Sequence, residues 1–202
     1  MSDHDIAAIE GYLRQQLAPR FGQIASAAAQ RADPLLGEAH DLRAARGSIA
    51  WQVTGAGTWY LNIAEGAMVV DSCPLEAPFM HVAQSLADWQ LFAGGAASTG
   101  FMGAGASRRA LGKARIERLR NLSGTVRFVV TGLGGGGAWS FVTHFGAAPM
   151  PPEPQTTVTV DALTMQRLQS GEVSPQLAFM QGKIRITGDV AVAIQLGTVL
   201  LM

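Results

Sequence analysis

The segment Ser174–Leu196 constrains the fold of this chain more than any other stretch. Its residues, SPQLAFMQGKIRITGDVAVAIQL, read as a short helix, a turn at Gly182, a brief strand over Lys183–Thr187, a second turn at Gly188-Asp189 and a closing apolar helix. That last helix, Val190–Leu201, is apolar nearly all round. A helix of this kind has to be buried on more than one side, or has to cover something apolar. Gln181, beside Phe179 and Met180, offers one polar handle in otherwise apolar surroundings.

At 202 residues the chain has room for one large domain or two small ones. Hydrophobic residues make up 48% and charged residues 15%, enough for a core with apolar surface left over to line a cavity. The formal net charge is zero, so nothing draws the chain as a whole to nucleic acid. No apolar run reaches the length of a membrane span; the longest, Val190–Met202, is interrupted by Gln195 and Gly197. The N-terminus lacks a basic and apolar leader, and the single cysteine, Cys73, excludes an internal disulfide. A cytoplasmic protein is the expectation.

Laid on itself, the chain shows a weak duplication. Gly47–Gly55 (GSIAWQVTG) parallels Gly124–Gly132 (GTVRFVVTG), seventy-seven residues apart, and each is followed by a turn and a Trp-led strand, Trp59–Ile63 and Trp139–Thr143. The same offset relates Leu91–Gly94 to Leu168–Gly171 and Gly105 to Gly182. Thr125–Val130, Trp139–Thr143 and Thr156–Val160 have the β-branched and aromatic content of strands, and Asp161 suits a helix N-cap ahead of Leu163, Met165 and Leu168. Ala106–Ala110, the counterpart of Lys183–Thr187, is not strand-like. Ahead of both units, Ile6, Ile9, Tyr12, Leu13 and Leu17 mark one apolar helical face, with Pro19 interrupting that helix or starting another. The four prolines of Ala147–Pro154 make that stretch an exposed loop. The expected organisation is a helical segment 1–45, a degenerate unit 46–122 and a second unit 123–202.

Catalytic and metal chemistry find no support. Gly132–Gly137 formally fits G-x-G-x-x-G, but strand text follows where a dinucleotide site needs a helix, so it reads as a hairpin loop. Gly112-Lys113 is followed by Ala114, without the hydroxyl of a phosphate loop. His4, His40, His81 and His144 share no ligand spacing, and His144 reads as a strand-end residue facing water. No Gly-x-Ser-x-Gly elbow and no paired carboxylates are present. The chain reads as a non-enzyme with no cofactor and no metal.

Arg108, Arg109, Lys113, Arg115, Arg118 and Arg120 gather in one stretch with only Glu117 against them. As a helix they form a solvated face, or a site for the phosphates of coenzyme A or for anionic lipid headgroups. The charges are not interleaved with aromatic residues, which argues against nucleic acid.

Pro175, Gln176, Ala178, Phe179, Gln181, Gly182, Lys183, Ile186, Thr187 and Gly188, in register, resemble the end of the sterol carrier protein type 2 family. The resemblance covers about 124–200 well and 47–122 faintly. It implies an α+β fold, a twisted mixed sheet of about five strands backed by helices, duplicated here as a pseudo-dimer, with a lipid tunnel between the layers. It also implies non-covalent binding or carriage of a fatty acid, fatty acyl-CoA, sterol-like molecule or isoprenoid. Cavity-lining candidates are Phe128, Trp139, Phe141, Leu163, Leu168, Phe179, Met180, Gln181, Ile186, Val190 and Ile194. Phe179, Gln181 and Ile186 are the ones carried over from the family, with Val190–Leu200 as its lid. The insertions Gly134–Gly137 and Pro149–Pro154 depart from the family pattern. Two alternatives stand beside this reading: an interaction domain whose cavity is filled by side chains, and an accessory factor presenting a polyprenyl or quinone intermediate to membrane enzymes. An apolar small molecule is the expected partner, with room for membrane-surface contact and for a homo-oligomer.

Overall fold

The computed structural model describes residues 3–31, 38–94, 111–134, 136–146 and 148–201. Asp3–Tyr12 (α1), a π-helical turn Leu13–Leu17 and Ala18–Arg31 (α2) form one helical run. Pro19 does not break it. The Ala18 N–H bonds the Leu13 carbonyl five residues back, so the helix is loosened just ahead of the residue that has no N–H to give. A short helix, Glu38–Arg43 (α3), leads into the sheet.

The strands are Arg46–Val53 (β1), Gly57–Ala64 (β2), Ala67–Asp71 (β3), Met80–Gln84 (β4), Gly124–Leu133 (β5), Gly137–Phe145 (β6), Thr156–Asp161 (β7) and Ile184–Gly188 (β8). The remaining helices are Leu86–Ala93 (α4), Lys113–Arg120 (α5), Ala162–Ser170 (α6), Pro175–Met180 (α7) and Val190–Leu201 (α8). All eight strands join one mixed sheet in the order β3-β2-β1-β4-β6-β5-β7-β8. The sheet thus exceeds the expected five strands, because β1–β4 extend it instead of forming a separate layer. The expected boundary at 122/123 does not interrupt it.

The two halves share part of their connectivity, although β3 has no counterpart between β6 and β7, nor β8 one among the described residues of the first half. In each, an antiparallel hairpin (β1–β2, β5–β6) is followed by a strand lying parallel beside the first strand of the hairpin (β4 on β1, β7 on β5). A helix then starts at a side-chain cap, Ser85 for α4 and Asp161 for α6. The halves meet edge to edge where β4 pairs antiparallel with β6: His81 with His144, Val82 with Thr143, Ala83 with Val142. Beyond that short ladder the Ser140 N–H donates to Asp88 of α4 (2.7 Å), closing the seam with a side chain.

Alternation sends Trp51, Leu61, Val70, Val82, Val126 and Phe141 to one face of the sheet, all buried. The helices pack on that face: the Phe92 ring of α4 lies against Trp51 (centroids 5.5 Å) and Trp139 (5.9 Å), and against Tyr12 of α1 (5.5 Å). The opposite face carries Gln52, Tyr60, Asn62, His81, Arg127 and Thr157, half-buried or exposed. His144 shares that face but does not meet water as expected. It is buried, with Nδ1 2.7 Å from the Thr125 hydroxyl and Nε2 2.7 Å from the Ala148 carbonyl, because the loop after β6 folds back over it. The carbonyl requires Nε2 to carry the proton, so in the neutral ring Nδ1 accepts from Thr125.

His81 lies across the seam from it, with ring centroids 6.1 Å apart. Burial, and then the neighbouring His144, hold the His81 imidazole below its ordinary 6.5. As the pH falls, the unfolded chain takes up this proton before the folded one. The stability at issue is therefore intact above about pH 6.5 and lost as pH drops toward the folded-state value. In thermal unfolding followed from about pH 7 to about pH 5, His81→Asn is expected to flatten the decline; an unchanged slope would assign the decline to other groups.

Candidate functional site

Register aligns Phe141, Phe128, Val158 and Ile186 in one row across β6, β5, β7 and β8, and Trp139, Val130, Val160 and Ile184 in the next. Phe141 and Phe128 stack with centroids 5.0 Å apart. Exposure grows toward the sheet edge: Phe141 is buried, while Phe128, Val158 and Ile186 are half-buried. Over this apolar floor lie α6, with Met165 and Leu168 turned in, and α8, with Val192 and Leu196 turned in.

Local chemistry places these helices. Asp161 accepts from the Thr164 N–H (2.9 Å) and hydroxyl (2.6 Å) and so starts α6. Those same bonds hold the Asp161 carboxyl below its ordinary range. Ser174 accepts from the Leu177 N–H (3.2 Å) with Pro175 in the first turn of α7, where a missing N–H costs nothing. Gly182, at φ +68°, reverses the chain, and the Lys183 N–H returns to the Ala178 carbonyl (2.8 Å). After β8, the Asp189 side chain accepts from the Ala191 N–H (2.9 Å) and opens α8.

The sequence-derived candidates divide. Phe128, Trp139, Phe141, Leu168 and Ile186 lie on the floor or against it. Leu163, Phe179, Met180, Gln181, Val190 and Ile194 are on the surface, with Met180 83% and Ile194 61% exposed. Of the two options for the last helix, burial on more than one side is not met at Val190 and Ile194: within residues 190–196, α8 packs through Val192 and Leu196 while Val190 and Ile194 are exposed. Of ten large exposed apolar side chains among the described residues, six (Leu163, Leu177, Phe179, Met180, Val190, Ile194) belong to α6, α7 and α8, which marks this end of the sheet as the apolar surface of the molecule.

Only part of the basic stretch falls within the described residues. Arg108 and Arg109, like Ala106–Ala110 as a whole, lie outside the described residues. On α5, Lys113 and Arg118 are exposed while Arg115 is buried beside Ile116 and Leu119. Arg120 is engaged elsewhere: it bonds Glu76, which also pairs with Arg46 (2.7 Å). The Asp41 carboxylate accepts from the Ala114 N–H (2.9 Å), supplying the cap that Gly112 lacks. Among the described residues no three His, Cys, Asp or Glu side chains gather as a metal site. No helix among them is long and apolar enough to cross a membrane.

The floor, the two roofing helices and the α7–β8–α8 ending belong to one matched segment. Residues 107–201 match the SCP-2 sterol transfer family. Similar solved structures include the sterol carrier protein 2 of Yarrowia lipolytica (20% identity, 48% of this chain and 80% of that one, TM-score 0.34). Others are sterol carrier protein domain 2 of Helicoverpa armigera (27%, 43% and 70%, 0.33) and sterol carrier protein 2-like 2 of Aedes aegypti (23%, 38% and 73%, 0.31). No curated protein matches the chain. The SCP-2 match does not reach β1–β4 or α4. There the structure adds buried residues that sequence reasoning gave no role: Gln84, Trp89 and Phe92, the last with its ring against Trp51 and Trp139. Only the tryptophans carried a signal, as bulky residues opening or filling strands.

Two substitution pairs separate floor from surface and turn from turn. Phe141→Ala is expected to cost about 3–5 kcal/mol in urea unfolding. Phe179→Ala, at a side chain 48% exposed, should cost far less, about 1 kcal/mol. Gly182→Ala meets no atom within 4 Å and costs only its left-handed backbone, about 1–2 kcal/mol. Gly188→Ala should be clearly worse in the same assay, because its Cβ falls on the Gln155 carbonyl and the β7–β8 ladder has to shift.

Proposed function

We propose that this chain is a non-enzymatic carrier of an apolar lipid, of the fatty acid, fatty acyl-CoA, sterol-like or isoprenoid class, taken up between the sheet and helices α6, α7 and α8. The observation that carries the reading is the half-buried row Phe128–Val158–Ile186 beneath helices that leave their own apolar side chains uncovered. The SCP-2 match over the same residues supports it. Each methylene taken from water contributes roughly 0.8 kcal/mol, so a long chain needs few polar contacts. Supporting a duplication as part of this proposal are the shared connectivity and the seventy-seven-residue offset, which carries α4 (Leu86–Ala93) onto residues 163–170 of α6.

A second reading, an interaction domain with a filled interior, is favoured by one observation. The rings of Trp51, Phe92, Trp139, Phe141 and Phe128 follow one another at 4.7–5.9 Å and occupy the space over the central strands. The reading as an accessory factor for membrane enzymes has less support, since Arg115 is turned inward.

Denaturing extraction of the purified protein followed by mass spectrometry decides between them. The carrier is expected to release a stoichiometric apolar molecule, and Ile186→Glu is expected to abolish uptake of a fluorescent fatty acid. An empty protein that also refuses fatty acid, acyl-CoA and isoprenoid probes would move the assignment to the interaction domain.

A further inference from the structure

The chain has four tryptophans, Trp51, Trp59, Trp89 and Trp139. Three stand on the helix-covered face of the sheet, and Trp89 belongs to α4 above it. The indole N–H groups of Trp51, Trp89 and Trp139 are buried with no hydrogen-bond partner among the described residues, and so are both polar atoms of the Gln84 side chain. All four residues are more than nine-tenths buried, at 2%, 6%, 2% and 5% exposure in that order. Orphaned donors at this depth are rare, and a cluster of them points to an oxygen that they receive.

The groups bracket one element. Gln84 ends β4 and leads into α4, Trp89 lies in α4, and the rings of Trp51 and Trp139 flank Phe92 of the same helix. Trp89 in turn lies 6.2 Å from Tyr12, which touches Phe92. The set is donor-rich, with four N–H-bearing nitrogens against one carbonyl oxygen. Every donor is neutral, and an ionised carboxylate would leave water without countercharge from them.

We propose that the seam between the halves, under α4, receives the uncharged oxygen of an apolar ligand: a ketone, ester or quinone carbonyl. This rests on the carrier reading, but places the ligand's polar end at Gln84 and the three indoles instead of Gln181. Trp139 lies 4.7 Å from Phe141, so a chain anchored here continues along the Phe141–Phe128–Ile186 row.

The test uses delipidated full-length protein, with 2-dodecanone and dodecane as probes, read by calorimetry and intrinsic tryptophan emission. The ketone is expected to bind about tenfold more tightly than the alkane, the contribution of one well-made hydrogen bond. It should also shift the emission. Gln84→Leu, which removes both amide atoms at similar volume, should reduce the preference severalfold while keeping alkane binding, the indole donors remaining. Trp51→Phe, which keeps a ring and loses the N–H, serves the same purpose should the leucine variant fail to fold. Equal affinity for both probes, or a ketone preference undiminished by either substitution, would overturn the assignment and leave internal water as the partner of these groups. Uptake of neither probe would instead sink the carrier reading, and the assignment with it.

Discussion

Three cross-strand pairs between β4 and β6 turn two small sheets into one of eight strands, and most of the tertiary arrangement follows from them. The ladder is short because β4 ends at Gln84 and the chain turns into α4. The next β6 donor, the Ser140 N–H, would be stranded, and Asp88 takes it. The same turn drops Phe92 between a tryptophan of each half, so one helix of the first half seals the interior of both. Arg120 adds a tie at the surface, reaching Glu76 and the Arg46 carbonyl. With its side chain 40% exposed, that pair orients more than it stabilises.

The contrast between the halves is one of coverage. Over β1–β4 the sheet face is closed by α1, α2 and α4, with Leu13, Ile49, Leu61 and Ile63 fully buried. Over β7 and β8 the floor is also apolar, but Val158, Ile184 and Ile186 are only half-buried, and the helices above it carry exposed apolar side chains. An amphipathic helix normally turns polar residues outward. α8 instead shows Val190 and Ile194.

The ending of the chain was legible because its signals are local. Ser174 before Pro175, glycines at 182 and 188, and Asp161 ahead of a helical pattern each fix backbone geometry within a few residues. The strands Thr125–Val130, Trp139–Thr143 and Thr156–Val160 announced themselves by β-branched and aromatic content. β4 did not: Met80-His-Val-Ala-Gln has little β propensity, and only its pairing on both sides makes it a strand. Nor could composition say that His144 would be roofed by Ala148, that Arg115 would turn inward, or that Val190 and Ile194 would face out. Each depends on how the folded chain packs and not on residue type. Of the candidate lining, the positions carried on strands turn to the helix-covered face, whereas several on helices are exposed. A strand position fixes a face by parity, but an all-apolar helix does not reveal which side it packs.

The seam also has a bearing on the order in which the chain closes. Within each half the pairings are local: hairpin strands follow one another, and the parallel partners β1–β4 and β5–β7 lie roughly thirty residues apart. The seam joins residues roughly sixty apart, across the whole of β5. Loop closure over such a span is slow. Loop-closure entropy thus favours closing the local pairings within each half ahead of the seam that joins Trp51's half to Trp139's.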